Sequence, residues 1–537
     1  MEFLLSSSFL SFLSEIWPEI LISVLSFFII GWYPKYKQFN SFAQHWPVLG
    51  KLPQLLKNAD RVNEVLVDTF TTYGCSFKLK GPSFTQINYM VTCHPRNIEY
   101  ILKTNFPNFP KGQDFKEMLD IFGDGIFTSD YDAWLQQRKT MHSRFASKDI
   151  RSFVAKTNKL EIEGALLPLL LSLSESQSVF DLQSAFIRLT FDTSFTMTFG
   201  KSPKYLIEGF PCNELAEAIE LATETMFYRH VVPSFWSKTM RFLRVGKEKE
   251  NAKARRVIDH EIGELISQKR EEISMKPDQN QAARFQPDKG VISTYMKDKD
   301  CSQAGFSKSN HKFLRDTALL ILFASSDTSA SGLTWFFWSI SNQPGVETKL
   351  LEELRTVVLS KKKNVSDDVL NREEETGLYV FDPEDLKELV YLHACLIESL
   401  RLYPPGYINH RSVVENDVLP DGVRVRKGTK CILSIYAVAR MEWIWGKDCK
   451  EYRPERWIDN EGKFKTELMS NFFIFNVGPR TCLGKEIAFS LMKSVIASIL
   501  YNFHVEIVGA QPNCLKQSIV LLMKNGLNVK VRRRGVV

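Results

Sequence analysis

Near the C-terminus, the string Phe475-Asn-Val-Gly-Pro-Arg-Thr-Cys-Leu-Gly484 brings together groups that could do chemistry. Cys482 stands just before a helix-patterned stretch, Lys485 to Lys493, where free amides and the helix dipole favour a thiolate. Arg480 can add positive charge there or pair with a carboxylate of a bound group. Gly478, Pro479 and Gly484 mark a tight loop whose backbone passes close to something flat or bulky. The plain alternative is a buried cysteine in a turn before a helix.

Three further constellations lie upstream. Glu398-Ser-Leu-Arg401 sets a carboxylate and a guanidinium three residues apart on one helix face, where they can pair. Leu402-Tyr-Pro-Pro405 follows at once, then His410-Arg411, and later Arg453-Pro-Glu-Arg-Trp457. The stretch Leu319 to Trp338 is apolar enough to suggest a membrane span, yet Ser325, Ser326, Asp327, Thr328 and Ser329 sit at its middle. That arrangement is expensive in lipid, so a buried helix in a water-soluble body is expected. Trp134-Leu-Gln-Gln-Arg138 places an aromatic and a cation one helical turn apart.

The elements that must hold these residues are mostly helical. Ser152 to Leu173 and Glu214 to Met226 carry apolar residues at three- and four-residue spacing. Strand patterns are fewer, as at Cys75 to Lys80 and Gly526 to Arg532. Lys276 to Lys312 and Leu359 to Thr376 read as surface loops. A body that is mainly α with a minor β part is therefore expected over residues 56–537. Residues 1–34 read as a retained membrane anchor. The charge-free run Ile20 to Tyr33 is short for a span of about 20 residues, so the helix must extend back to Ile16. Lys35 and Lys37 follow it, which puts the body on the cytoplasmic side. Residues 35–55 form a proline-containing linker.

Composition narrows the function classes. The net charge of +7 over 537 residues is too diffuse to argue for nucleic acid and fits a membrane surface or an acidic protein partner. Nine cysteines, scattered and with no Cys-x-x-Cys, suggest neither a disulfide framework nor a zinc site. There is no nicotinamide or flavin fingerprint, so any electrons must come from elsewhere.

The string from Phe475 to Gly484 matches, at every fixed position, the Phe-x-x-Gly-x-Arg-x-Cys-x-Gly signature of the cytochromes P-450, and the chain resembles that family. The resemblance implies haem b with Cys482 as axial iron ligand, Phe475 and Gly478 in the ligand loop, and Arg480 on a propionate. A thiolate ligand donates electron density that favours O–O cleavage. Trp134, Arg138, and His410 or Arg411 would reach the propionates as well. Glu398, Arg401 and Arg456 look like the family's structural network. Thr328 would hydrogen-bond oxygen and Asp327 would relay protons to it. Ser325 departs from the pattern, which has glycine there; its side chain would crowd the oxygen pocket or add a donor. Phe115, Phe122, Phe323, Ala324, Ser325, Tyr407 and Ile519 are the implied substrate lining.

The texture is closest to plant long-chain aliphatic hydroxylases, implying hydroxylation of an alkane or fatty acid. Dioxygen would be co-substrate, with electrons from an NADPH–cytochrome P-450 reductase in the endoplasmic reticulum membrane. Arg144, Lys148 and Lys485 would lie on the face that meets the reductase. Oxidative coupling of phenols is a second reading, and a non-catalytic haem protein a third.

Overall fold

The computed structural model describes residues 50, 51, 54, 57, 58, 61–81, 88–275, 290–297, 311–341, 343–364, 377–509, 515, 516 and 518–535. The expected anchor and most of the linker lie outside the described residues. Counting α-helices of seven residues or more, the first half of the chain runs α1 (Val62–Tyr73), β1 (Ser76–Lys80), β2 (Asn88–Thr92), α2 (Gly112–Met118), α3 (Tyr131–Phe145), α4 (Lys148–Glu161), α5 (Leu167–Glu175), β3 (Phe180–Asp181), α6 (Leu182–Phe199), α7 (Glu214–Val231), α8 (Ser234–Leu243) and α9 (Gly246–Met275). The second half runs α10 (Gly290–Lys297), α11 (His311–Ser341), α12 (Pro344–Asn364), α13 (Val390–Leu402), β4 (Ile408–Ser412), β5 (Asp417–Val418), β6 (Arg424–Val425), β7 (Lys430–Ser434), α14 (Lys485–Asn502), β8 (Phe503–Ile507) and β9 (Asn528–Arg533).

The fold is mainly helical with a small β part, as the residue pattern implies. The helices expected at 152–173 and 214–226 are α4–α5, joined through a π-type turn at Ile162–Leu166, and α7. Their starts are set by side chains that accept backbone N–H groups: Ser147 from Ile150 (3.2 Å) and Asn213 from Ala216 (3.0 Å). Two expected loops are shortened. Residues 290–297 form α10, because Val291, Ile292 and Tyr295 bury a short apolar face. Residues 359–364 continue α12.

α11 organises the molecule. Its residues Leu314 to Phe323 belong to an apolar cluster with α7, α9 and α10, while Ala330 to Ile340 belong to a second with α13, α14 and the sheets. The boundary between the two clusters falls on Ala324–Ser329, the polar stretch. Among the described residues no helix is long and apolar enough to cross a membrane. The apolar character of α11 is spent on protein neighbours instead.

The larger sheet has the order β1-β2-β7-β4, with β2 parallel to β7 and the other pairs antiparallel. Register pairs His410 with Ile432 and Arg411 with Cys431, which fixes opposite directions for His410 and Arg411. A three-stranded sheet, β3-β9-β8, and the β5-β6 ribbon complete it.

Candidate functional site

In the middle of α11, between the buried stretches Leu314–Phe323 and Ser329–Phe337, Ala324 is exposed and Ser325, Asp327 and Thr328 are partly so. The helix therefore presents one open turn between its two packed halves. Cys482 also keeps accessible surface, although protein encloses it on most sides. Its neighbours Leu483 and Ile487 pack on the same cluster as Leu320 and Phe323, so the two openings share a neighbourhood. Burial pushes the Cys482 thiol up; the Gly484 amide, Arg138 and Lys485 pull it partly back. The preference for thiolate expected from the helix start alone does not prevail over that enclosure. A thiol so placed is deprotonated by metal ligation.

The ligand loop is fixed by its backbone. Cys482 N–H donates to the Phe475 carbonyl at 2.8 Å. Gly478 has φ +71°, and a Cβ there would lie 2.4 Å from the Leu102 carbonyl oxygen. What this glycine passes closely is therefore the 102–103 backbone. At Gly484 a Cβ would meet nothing within 4 Å.

Beside the loop lies a group of buried cations. Arg480 pairs with Asp130 at 2.8 Å, donates to the Ser129 carbonyl at 2.5 Å, and stacks its guanidinium 4.6 Å from the centre of Trp134. Arg411 is fully buried and donates only from Nη1, to Asn409 Oδ1 (2.7 Å) and the His410 carbonyl (2.8 Å). Its Nε and Nη2, and Nε of Arg480, have no partner among the described residues. Burial lowers Arg411 to about 9, with Arg480 adding to the effect, and lowers Arg480 to about 10. Lys111, pushed down by burial and then by Arg411 and Arg480, completes the group. When charged, these three cations outnumber Asp130, the carboxylate they share, by two. Unpaired buried donors with a surplus of two positive charges fit a ligand that brings two carboxylates. Haem b has two propionates, and Arg411, Arg480 and Lys111 would hold them. Arg138, half-buried near Cys482, has its charge disfavoured by burial and favoured by that sulfur.

His410, next to Arg411 on β4, points to the other face of the sheet, toward Phe115. Its ring lies 5.5 Å from Phe115 and 6.2 Å from His230, and burial holds it neutral. Of the two candidates, only Arg411 joins the cations.

A different set of arginines is fully matched. Arg401 and Glu398 pair at 2.8 Å, both with no exposed side chain. Arg401 also donates to the carbonyls of Ala439, Cys449 (2.8 Å) and Glu451 (3.2 Å). Glu398 accepts from Arg456 (3.4 Å) and from Trp457 Nε1 (2.8 Å). Trp457 had no role in the sequence reading, although its motif was in view.

On the open turn, the Thr328 hydroxyl donates to the Ala324 carbonyl at 2.7 Å, leaving its lone pairs to accept. Burial, then Glu220, raises Asp327 to about 7; Lys516 and Ser326 oppose. Ser325 is otherwise employed. Its hydroxyl hydrogen-bonds Ser194 of α6 (2.7 Å) and the Ile321 carbonyl (2.5 Å), so it ties two helices together. Phe122 lies 5.0 Å from Phe323 and 5.9 Å from Phe127, which lies 5.8 Å from Phe115. Ile519 packs on the same cluster. Tyr407 instead donates its hydroxyl to the Ser518 carbonyl at 2.7 Å and pins the C-terminal turn. Arg144 is committed too, bonding Thr294 at 2.9 Å and stacking on Tyr295, whereas Lys148 is exposed.

Sequence reasoning missed Lys111 and Asp130. Each is a lone charge in a loop without period; burial marks Lys111, and the half-buried Asp130 is marked only by accepting from Arg480 and from the Lys111 and Gly112 N–H groups.

Noroxomaritidine synthase 2 from Narcissus pseudonarcissus is 35% identical over 534 residues, covering 99% of both chains. The alkane hydroxylase MAH1 of Arabidopsis thaliana is 34% identical, covering 96% of this chain and 97% of its own. Cytochrome P-450 86B1 of Arabidopsis thaliana is 38% identical over 91% of this chain and 86% of its own. The family model for cytochrome P-450 matches residues 41–531, spanning the cysteine loop, the matched arginine network and the open turn of α11, and the chain belongs to that family of monooxygenase oxidoreductases.

Proposed function

We propose that this monooxygenase hydroxylates a long-chain aliphatic substrate, an alkane or fatty acid. The observation that carries the reading is the single apolar cluster that joins Phe115, Phe122, Leu320 and Phe323 beside the open turn at Ala324. The family uses haem b, dioxygen and NADPH-derived electrons from a reductase. When bound, haem would supply the oxygen chemistry, and Cys482 is the residue that would hold its iron. The protein's own contribution is positional. Arg411, Arg480 and Lys111 would hold the propionates. The aromatic lining excludes water and holds a C–H bond over the open turn. Thr328, already donating to its own helix, accepts a hydrogen bond there. Asp327, close to neutral in its proton affinity, both takes and gives a proton near pH 7.

The reading includes attachment to the endoplasmic reticulum membrane through residues 1–34, with the catalytic body in the cytoplasm. Supporting it, α8 presents Phe235, Trp236, Phe242 and Leu243 to solvent, Phe242 at 86% exposure. Lys148, and Lys485 at the foot of α14, suit the approach of the reductase.

The relatives do not choose the substrate, since noroxomaritidine synthase 2 matches end to end as fully as the alkane hydroxylase does. Oxidative phenol coupling is therefore the second reading. A titration of the spin-state shift with alkanes and fatty acids of rising length separates the two. Each buried methylene is worth about 0.8 kcal/mol, so affinity should rise roughly fourfold per methylene until the pocket is full. A flat series beside tight binding of a phenolic amine would support coupling instead.

A further inference from the structure

The β1–β2 hairpin ends in two cysteines. Ser76 pairs with Thr92, their hydroxyls 2.7 Å apart, and the next pair outward is Cys75 with Cys93, whose N–H donates to the Cys75 carbonyl at 2.9 Å. Directly opposed residues of an antiparallel pair project to the same side, with Cα atoms roughly 4.5–5.5 Å apart. A disulfide needs about 4.4–6.8 Å. The two thiols act directly on one another's ionisation. No disulfide joins them; Cys93 is wholly buried and Cys75 reaches solvent. The half-exposed Trp443 adds to the effect on Cys75, and its ring lies 5.3 Å from that of His94. Asn97 braces the hairpin end by donating to Ser76 (3.1 Å) and Thr92 (3.2 Å).

From this arrangement we infer that Cys75 is a modification site for hydroperoxides and soft electrophiles, with Cys93 as its resolving thiol. Nothing in the monooxygenase reaction calls for such a pair. The Cys75 thiolate attacks one peroxide oxygen; the S–O bond forms, the O–O bond breaks and hydroxide leaves. Cys93 then attacks the oxidised sulfur, forming the S–S bond, and its proton departs with the second hydroxide as water. Two thiols lose two electrons, and hydrogen peroxide becomes two waters. A dithiol reductant reverses the step. Cys93 and Trp443 lower the Cys75 thiol against burial and Asp421, while the same pairing and burial push Cys93 up, so Cys75 is the more readily ionised of the two. Cys212 provides an internal control. It is exposed, but Glu217 raises its thiol, so exposure favours Cys212 while the hairpin geometry favours Cys75.

The test is competitive labelling of the purified, haem-loaded full chain at pH 7 with limiting iodoacetamide, read peptide by peptide by mass spectrometry. Cys75 should be alkylated roughly tenfold faster than Cys212. Stoichiometric hydrogen peroxide should then give a Cys75–Cys93 disulfide, and Cys93→Ala should leave Cys75 as a sulfenic acid that dimedone captures. Faster labelling of Cys212, or Cys75 and Cys93 both still alkylatable after peroxide, overturns the inference. Neither result touches the assignment of Cys482.

Discussion

Arg401 and Arg411 are equally buried, and they teach opposite lessons. Arg401 is fully matched by Glu398 and the carbonyls of Ala439, Cys449 and Glu451. Arg411 leaves Nε and Nη2 without a partner among the described residues, beside two more cations and one carboxylate. A buried guanidinium whose donors are all met has been desolvated to hold the fold together. One with donors left over costs stability, and is accounted for only by a ligand that supplies the missing acceptors. The first set is scaffold, and the second is where a dianion belongs.

The largest effect should come from breaking the matched set. Glu398→Gln leaves Arg401 buried without its counter-charge and weakens the bonds from Arg456 and Trp457. A loss on the order of 3–5 kcal/mol is expected, read as a fall in the denaturant midpoint whether or not haem is bound. A midpoint close to that of the unaltered chain would show that the network is not scaffold.

The unmatched set should behave in reverse. Arg411→Leu removes an unsatisfied buried charge, so the haem-free protein should be as stable as before or more so. Haem affinity should fall about ten- to a hundredfold, the equivalent of a charge-assisted hydrogen bond of about 1.5–3 kcal/mol. Denaturation of the haem-free protein and haem titration read the two halves. A variant destabilised without haem and unchanged in haem affinity would reverse the assignment of the two arginines.

This contrast was only partly legible in the residue string. Glu398 and Arg401 announce themselves by helical spacing, and Arg456 joins them only through the family resemblance of the Arg453-Pro-Glu-Arg-Trp457 run. His410 and Arg411 are adjacent, so alternation along a strand says that they face apart but not which faces the cations; that waits on the register with Ile432 and Cys431. Lys111 and Asp130 carry no pattern at all, since burial of a loop is a tertiary fact. Ser325 was legible as a departure, but its bond to Ser194 depends on how α6 crosses α11. α10 was too short a periodic stretch to stand out between polar neighbours.

Smaller effects sharpen the picture at the open turn. Asp327 titrates near 7 in the folded chain, against about 3.9 when unfolded. A raised folded value gives stability that is complete below about pH 4 and is lost as pH rises through about 7. Asp327→Asn removes that titration, so the unaltered enzyme should lose a few degrees of melting temperature relative to the variant between those limits, and nothing further above them. A gap that stays constant with pH would mean that Asp327 is not held up by burial. Ser325→Ala should matter least, about 1 kcal/mol for the lost tie to Ser194. Its peroxide release per NADPH should not change, whereas that of Thr328→Ala should rise. Tighter coupling in Ser325→Ala would return Ser325 to the oxygen pocket.

Everything assigned to the unmatched cations presupposes a haem ligated by Cys482. The ferrous carbon monoxide spectrum of Cys482→Ser tests that most directly. The account predicts that haem is still bound through its propionate contacts, at reduced occupancy, while the red-shifted Soret band characteristic of a thiolate ligand disappears. A variant that kept the full shift would contradict it.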